Sequence, residues 1–346
     1  MNGDEVQRDL QGSSNSVSGA TKSSFATALD VAGDVFLRFL KAEWSAPLIS
    51  LVLLVICFSL VSEAFRRLEN FYNIGLQAPI IAVIAVGQTL IITAGGIDLS
   101  VGSVLAFASV NAAWLLNKGY SPHLGLLVAV LTGCFCGLIN GSLVVFGRLP
   151  PFIATLGMMG IARGLAHLIS GGVSIYIPQS WFWGISSQKI LFMPMPFLIA
   201  ILVAFAGHIT LAYTRLGRHL YAVGGSYEAA RLSGVPVKLV LLIAFVLCGL
   251  CTGIASVIEA SRVTVGSPMS GIMYELHAIA ACVIGGASLS GGRGTIIGTI
   301  AGALLMAVLR NGCDALNLRY EYQQIVIGIA VIIAVLYDRW RHERTR

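Results

Sequence analysis

The stretch Gly95-Gly96-Ile97-Asp98-Leu99-Ser100-Val101-Gly102, called here the first glycine motif, separates two apolar stretches that are each long enough to cross a bilayer. In a soluble protein these residues would form an ordinary turn. Within a membrane, irregular backbone is tolerated only where it is buried in protein, lines water or reaches the interface. Two glycines and a carboxylate at this point therefore indicate an interrupted membrane segment, and they favour a role in transport across the membrane.

Composition supports a membrane protein. Hydrophobic residues make up 56% of the 346 residues, charged residues make up 11%, and the mean hydropathy is +0.84. A soluble domain carries about 25% charged residues. We predict an all-α integral membrane protein with about ten transmembrane helices, broken at Gly-Gly motifs. The predicted spans are 46–64, 74–94, 100–117, 124–146, 151–170, 196–214, 238–258, 272–288, 294–310 and 323–338.

The distribution of basic residues predicts the orientation. With the N-terminus inside, the cytoplasmic segments hold 14 Lys and Arg residues and the outer segments hold 7, while Arg163 lies within a span. Because cytoplasmic loops carry an excess of Lys and Arg, this split favours both termini inside. The net charge of +6 is then concentrated where anionic lipid lies, so we predict lipid contact and no nucleic-acid partner.

Three regions follow from this topology. Residues 1–45 are polar and Ser-rich without an apolar leader core, which predicts a disordered cytoplasmic tail. Residues 46–338 form the predicted transmembrane domain, and residues 339–346 form a basic cytoplasmic tail.

A second glycine motif, residues 285–292, repeats the pattern of the first, since both read Gly-Gly-x-x-Leu-Ser-x-Gly. Both are predicted on the cytoplasmic side. Ser288 stands where the first motif has Asp98, so the two motifs share backbone shape and not charge. We expect Asp98 or Ser100 to cap the helix after the first motif, and Ser288 or Ser290 to cap the helix after the second. A direct role of Asp98 in gating or substrate passage stays open.

The cytoplasmic connection 215–237 contains the start and stop signals of a short helix. Ser226 is the predicted N-cap, residues 227–233 are the body, Gly234 is the left-handed end and Pro236 follows. A helix of two turns does not persist alone in water, so it needs a partner surface. It docks either on another protein or on its own bundle. The candidate docking residues are Ser226, Tyr227, Glu228, Ala229, Ala230, Arg231 and Gly234.

Polar side chains are few within the predicted spans. A central charge costs about 2.5 to 3.5 kcal/mol on insertion scales, so Arg163 is expected to face inward, together with His167 one turn later. Glu275 is predicted near the outer end of the eighth span. The candidate residues of a translocation pathway or gate are Gln88, Thr93, Asp98, Ser100, Asn111, Asn140 and Glu275.

Several kinds of chemistry find no support in the sequence. Six of the seven cysteines lie in predicted spans, and no spacing indicates a disulfide framework, a metal site or catalytic residues. No Gly-x-x-x-x-Gly-Lys-Ser/Thr phosphate loop and no paired intramembrane carboxylates are present. We therefore predict no bound cofactor and no enzymatic activity, and we expect any energy for transport to come from another subunit.

Three runs of sequence resemble one known family. They are 87–90 with the first glycine motif, Pro151-Phe152-Ile153-Ala154-Thr155-Leu156-Gly157, and Tyr274-Glu275-Leu276 followed by the second glycine motif. In order and spacing, over residues 70 to 340, they resemble the ribose-type sugar permeases of bacterial ABC importers.

That resemblance implies a permease in the bacterial inner membrane, paired with a second copy or a paralogue. It also implies a cytoplasmic ATP-binding subunit and a periplasmic sugar-binding protein as partners. The helix after Ser226 would be the coupling helix that docks into the ATPase. The substrate would be a ribose-like pentose or a related monosaccharide.

Other readings stay open at this stage. The substrate of such an importer is alternatively a branched-chain amino acid or a furanose-like signal molecule, because the binding protein sets most of the specificity. A secondary carrier or channel that works without ATP is disfavoured by the lack of a proton relay. A membrane enzyme is disfavoured by the lack of a ligand cluster or a nucleophile with a base.

Overall fold

The computed structural model describes residues 45–190 and 193–343. The predicted tail 1–45 lies outside this range except for its last residue, as do residues 344–346 of the predicted basic tail. The helices are α1 (Ser45–Val61), α2 (Glu63–Arg66), α3 (Leu68–Thr93), α4 (Val101–Asn117), α5 (Pro122–Val145), α6 (Pro151–Ser170), α7 (Trp181–Ser187), α8 (Met195–Tyr213), α9 (Arg215–Gly225), α10 (Tyr227–Leu232), α11 (Val237–Val263), α12 (Tyr274–Ile284), α13 (Ile296–Ala315) and α14 (Tyr320–Glu343).

Six of the described helices are long and apolar enough to cross a membrane, namely α3, α5, α6, α8, α11 and α13. Three shorter apolar helices, α1, α4 and α12, accompany them. Apart from four strands of two residues each, the described chain has only helices as regular structure. The prediction of an all-helical integral membrane protein is confirmed at this level.

The eighth predicted span, 272–288, needs correction. Its helix, α12, contains 11 residues and rises about 16 Å, whereas a bilayer core is about 30 Å thick. Met273 has φ of 68°, a left-handed conformation, so α12 begins only after this residue. Hydropathy averages over a window, so it did not detect that the residues before Tyr274 leave the helix.

Glycines bring the central helices into backbone contact. A Cβ added at Gly137 on α5 would lie 3.2 Å from the Cα of Gly249 on α11. A Cβ added at Gly87 on α3 would lie 2.7 Å from the Cα of Cys248 on α11. Such close approach through small residues is typical of helices packed in membranes. α3 is largely buried in the bundle, whereas most residues of α6 and α8 are only partly buried or exposed.

Residues 264–273, the re-entrant segment, follow α11 and run beside α4 without forming a helix. A Cβ at Gly266 would lie 3.0 Å from the carbonyl carbon of Ser109, and one at Gly271 would lie 3.1 Å from the Cα of Gly102. Ser109 and Gly102 are seven residues apart, so the segment follows α4 for about 10 Å. It returns the chain from the end of α11 to the start of α4.

Two small ribbons hold the connections between helices. β1 (Ile175–Tyr176) pairs antiparallel with β4 (Val265–Gly266), with Tyr176 opposite Val265. β2 (Lys189–Ile190) pairs with β3 (Met193–Pro194). The first ribbon fixes the beginning of the re-entrant segment to the loop after α6.

Candidate functional site

The first glycine motif joins the end of α3 to the start of α4 through a turn built around Asp98. Gly95 has φ of 84°, a conformation that glycine adopts at little cost. The Asp98 side chain is buried, with 2% of its surface exposed. Its Oδ1 accepts hydrogen bonds from the Ser100 backbone N–H at 2.8 Å and from the Ser100 hydroxyl at 2.6 Å. Asp98 therefore closes a local turn onto Ser100, the N-cap residue of α4, and the predicted side-chain cap from Ser100 is absent.

Two neighbouring helices complete the environment of this carboxylate. Asn140 of α5 donates from Nδ2 to the Ser100 hydroxyl oxygen at 3.0 Å and to Asp98 Oδ2 at 3.4 Å. Thr155 of α6 donates to the Ile97 carbonyl at 3.4 Å. Within the described residues, no Lys, Arg or His forms an ion pair with Asp98. Neutral donors from Ser100 and Asn140 thus hold the buried carboxylate, while Thr155 holds the backbone beside it.

The second glycine motif closes mainly through its own backbone. Gly286, Gly291 and Gly292 have φ of 91°, 85° and 75°. The Ser288 N–H donates to the Arg293 carbonyl at 3.2 Å, and the Gly291 N–H donates to the Ser288 carbonyl at 2.9 Å. The Ser288 hydroxyl oxygen accepts the Ser290 N–H at 3.3 Å, which is the local turn that Asp98 makes in the first motif.

The predicted cap of the helix after the second motif is wrong. Neither Ser288 nor Ser290 caps α13, because the motif is followed by Arg293, Gly294 and Thr295 before the helix begins. Thr295 is the N-cap, and its hydroxyl oxygen accepts the Gly298 N–H at 3.1 Å.

The two glycine motifs lie side by side. The Gly292 N–H donates to the carbonyl of Thr93, the last residue of α3, at 2.9 Å. A Cβ added at Gly291 would lie 2.9 Å from the Cα of Gly95. Two stretches about 190 residues apart in sequence therefore meet backbone to backbone, at the same end of the bundle.

The predicted short helix is present as α10. The Ser226 hydroxyl oxygen accepts the Ala229 N–H at 3.3 Å, and Gly234 is left-handed with φ of 80°. The N–H groups of Gly234 and Val235 bond to the carbonyls of Arg231 and Ala230 at 3.1 and 3.0 Å, which is a Schellman motif.

α10 buries one face and presents another. Ala230 is buried against the bundle, whereas Leu232 is 79% exposed and Tyr227 is 45% exposed. Glu228 and Arg231 form an exposed ion pair at 2.9 Å. An open groove of about 800 Å³ separates α10 from the loop between α5 and α6, where Arg148 lies. One face of α10 therefore lies on its own bundle and the other is exposed, and docking of the exposed face on another protein stays a prediction.

The structure corrects the expected position of Glu275. A Cβ added at Gly102 would lie 2.5 Å from Glu275 Oε2, so this carboxylate lies at the start of α4, directly after the first motif. The prediction near the outer end of a span assumed that residues 272–288 form one long helix. The re-entrant segment instead places Glu275 beside the start of α4.

Arg163 faces inward, as predicted, and holds the re-entrant segment. Its Nη1 donates to the Pro268 carbonyl and, at 2.8 Å, to the Ser270 carbonyl. These carbonyls belong to a segment without helical partners, so the guanidinium replaces hydrogen bonds that a helix would supply.

The side chains of the three remaining candidates, Gln88, Thr93 and Asn111, form no described hydrogen bond with Asp98, Ser100 or Asn140. Gln88 is fully buried on α3, and its Nε2 has no hydrogen-bond partner among the described residues. The Thr93 hydroxyl is likewise without a described partner. Asn111 donates to the Thr132 hydroxyl at 3.2 Å and so joins α4 to α5 away from Asp98. The structure brings together Asp98, Ser100 and Asn140, with Thr93 and Glu275 at the edges of the same region.

Comparison with known proteins decides the family. Residues 70–336 match the family described as branched-chain amino acid transport system / permease component. The chain belongs to this family. As a permease subunit it is a multi-pass protein of the bacterial inner membrane and is not itself an enzyme.

Within this family, the chain is similar to individual permeases that are named for sugars. The permease is 39% identical over 311 residues to the Ribose import permease protein RbsC of Escherichia coli (strain K12), covering 87% of this chain and 96% of that protein. It is 35% identical to the D-allose transport system permease protein AlsC of the same strain, covering 83% and 89%. It is 36% identical to that strain's L-arabinose transport system permease protein AraH, covering 96% and 98%. No solved structure matches the chain. The predicted resemblance to ribose-type sugar permeases is confirmed.

Proposed function

We propose that the permease carries a monosaccharide across the inner membrane as the membrane subunit of an ATP-driven importer. Three relatives are transport permeases for ribose, D-allose and L-arabinose by name, which supports a pentose or a related sugar. The family description instead names branched-chain amino acids, so these are the second candidate substrate class. A periplasmic binding protein delivers the substrate in either case.

The observation that carries the proposal is α10, a capped and exposed helix beside the first glycine motif. A helix of six residues is held by its caps and by the burial of Ala230, and it offers Tyr227 and Leu232 to a partner. A cytoplasmic ATPase is the partner proposed for this face. The docking residues are Ser226, Tyr227, Glu228, Ala229, Ala230, Arg231 and Gly234.

The pathway is proposed to pass the ends of α3 and α4. Irregular backbone at membrane depth requires protein or water around it, and the first motif and the re-entrant segment supply such backbone on both sides of Gly102. Asp98, Ser100 and Asn140 form the central polar group, with Thr93 and Glu275 beside it. Gln88 and Asn111 stay in the proposed set as residues farther along α3 and α4.

The topology and assembly complete the proposal. The helices α1, α3 to α6, α8 and α11 to α14 correspond to ten membrane segments with both termini inside, of which α12 spans together with the re-entrant segment. A second copy or a paralogue pairs with this chain, and the basic cytoplasmic residues contact anionic lipid.

The function is tested in proteoliposomes that contain the permease, its ATPase and its binding protein. We expect ATP-dependent uptake of at least one of ribose, allose or arabinose, and no uptake of leucine. Leucine uptake without sugar uptake would move the permease to the amino acid class. Sugar uptake by the permease alone without ATP would establish a secondary carrier and overturn the proposal.

Docking of α10 is tested by Glu228→Lys. The ion pair with Arg231 is exposed and contributes little to stability, so the variant folds. A reversed charge in the interface lowers ATP-dependent uptake by about tenfold or more. The control is Glu321→Lys, another exposed carboxylate, at the start of α14, which leaves uptake unchanged. Equal uptake by both variants would contradict docking through α10.

A further inference from the structure

The carboxyl end of α9 is inserted where the two glycine motifs meet. A Cβ added at Gly224 would overlap the Thr93 carbonyl oxygen and would lie 2.5 Å from the Gly292 nitrogen. These are the two atoms whose hydrogen bond joins α3 to the second motif. Gly224 therefore packs directly on the bond that links the end of α3 to the second motif.

The contacts of the second motif also place it against Gly224. A Cβ added at Gly291 would lie 2.7 Å from the Gly224 carbonyl oxygen and 2.9 Å from the Gly224 Cα. One turn earlier on α9, the Tyr221 hydroxyl donates to the Gly294 carbonyl at 2.6 Å. α9 thus touches the end of α3, the carboxyl end of the second motif and Gly294 just beyond it, and glycine backbone forms most of the contact.

α9 is also joined closely to α10. Only Ser226 lies between them, and it belongs to both helices, since its N–H donates to the Ala222 carbonyl at 3.1 Å and its hydroxyl caps α10. Because only one residue joins α9 to α10, the two helices have little freedom to move relative to each other. Close-packed backbones transmit a displacement instead of absorbing it.

We propose that the end of α9 is a mechanical link, in which Gly224 and Tyr221 are positioning residues that make both glycine motifs follow any movement of α10. Neither residue is required to touch the substrate. The inference rests on the proposed docking of α10 with an ATPase, and it adds how the movement reaches the motifs. Spatial proximity alone does not establish coupling between two sites. A variant of the linking residue must change the measured coupling.

Neighbouring glycines provide a matched test. Gly224→Ala places a methyl group on the Thr93 and Gly292 backbone, whereas Gly225→Ala places it in open space, with no heavy atom beyond its own stretch of helix within 4 Å. Both residues lie in α9 without positive φ, so alanine fits the backbone at each. Tyr221→Phe removes the hydroxyl that reaches Gly294 and adds no bulk.

The measurement is sugar uptake per ATP hydrolysed, in proteoliposomes of the complete importer, with equal amounts of inserted permease. This ratio reports coupling, because a loss of folded protein lowers uptake and hydrolysis together. We expect Gly224→Ala to lower the ratio about tenfold, within the range of allosteric coupling energies. Gly225→Ala stays within about twofold of the wild type. Tyr221→Phe lowers the ratio about threefold, as expected for one hydrogen bond.

Each outcome has a distinct meaning. Equal ratios for the Gly224 and Gly225 variants would overturn the link. If Gly224→Ala does not insert, Tyr221→Phe decides, and a ratio equal to that of the wild type would overturn the link. A wild-type importer that shows no ATP-dependent uptake would instead refute the proposed function, and the link with it.

Discussion

The two glycine motifs share a sequence pattern and a local turn, but different forces hold them. In the first motif, side chains of Asp98, Ser100 and Asn140 form a buried polar group around the start of α4. In the second, the chain closes on its own backbone, and the Ser288 side chain adds one local hydrogen bond, from the Ser290 N–H. The same Gly-Gly-x-x-Leu-Ser-x-Gly pattern therefore encodes a turn. The residue at its fourth position determines whether that turn is also a polar site.

The comparison teaches how one backbone shape serves two roles. The first motif places a carboxylate next to the proposed pathway and α5 adds the Asn140 amide, so polar side chains hold this motif. Among the described residues, the second motif has no such polar side-chain group over its backbone, so α3 and α9 can approach that backbone closely. Substitutions that add a side chain at a backbone contact should therefore destabilise the second motif most. Substitutions that remove a polar side chain should destabilise the first motif most.

The largest effect on stability is expected from Gly291→Ala. Gly291 has φ of 85°, and an added Cβ would also meet the backbone of Gly224 and Gly95. Left-handed strain and overpacking together should cost about 3 kcal/mol in free energy of unfolding. The control is Gly172→Ala, which has φ of 80° but no heavy atom within 4 Å, and which should cost about 1 kcal/mol. Detergent-induced unfolding measures both, and equal costs would show that the backbone contact is unimportant.

Asp98→Ala is expected to have the next largest effect. It removes the acceptor of two Ser100 hydrogen bonds and leaves buried donors unpaired, at a cost of about 2 to 3 kcal/mol in free energy of unfolding. Asp98→Asn retains an acceptor oxygen for the Ser100 N–H and should keep most stability and most uptake, because Asn forms this turn as Asp does. Near-complete loss of uptake by a stable Asp98→Asn variant would establish a direct role of the carboxylate in transport.

Ser288→Ala, at the matching position of the second motif, should have the smallest effect. Its hydroxyl oxygen accepts one bond at 3.3 Å, and the turn is also closed by backbone bonds. We expect a loss of at most about 1 kcal/mol in free energy of unfolding, measured as for Gly291→Ala. A loss as large as that of Asp98→Ala would contradict the distinction between the motifs.

Local signals in the sequence predicted local structure well. Ser226 and Gly234 bound a short helix because capping depends on neighbouring residues. The echo between Asp98 and Ser288 reflects the same turn in both motifs. Arg163 was expected to face inward because lipid excludes charge, although its partners in the re-entrant segment were not predictable.

Contacts between distant parts of the chain were not predictable in the same way. Nothing in the sequence distinguishes Gly224, where an added Cβ would meet Thr93, from Gly225, where it would face open space. The position of Glu275 depended on whether the residues before α12 are helical, and their hydropathy favoured a helix. Thr295 was missed as a cap because the serines of the motif occurred earlier in the chain.

The most direct test of the account measures distances within the complete importer by pulsed electron paramagnetic resonance. Spin labels are placed on the exposed Leu232 of α10, on the exposed Ser290 of the second motif and on the exposed Lys118 beyond the far end of α4, in a Cys57→Ser background. The account predicts that nucleotide binding leaves the distance from Leu232 to Ser290 unchanged and alters the distance of each from Lys118. A changed distance from Leu232 to Ser290, with Ser290 fixed relative to Lys118, would contradict it, because α10 would then move without the motifs.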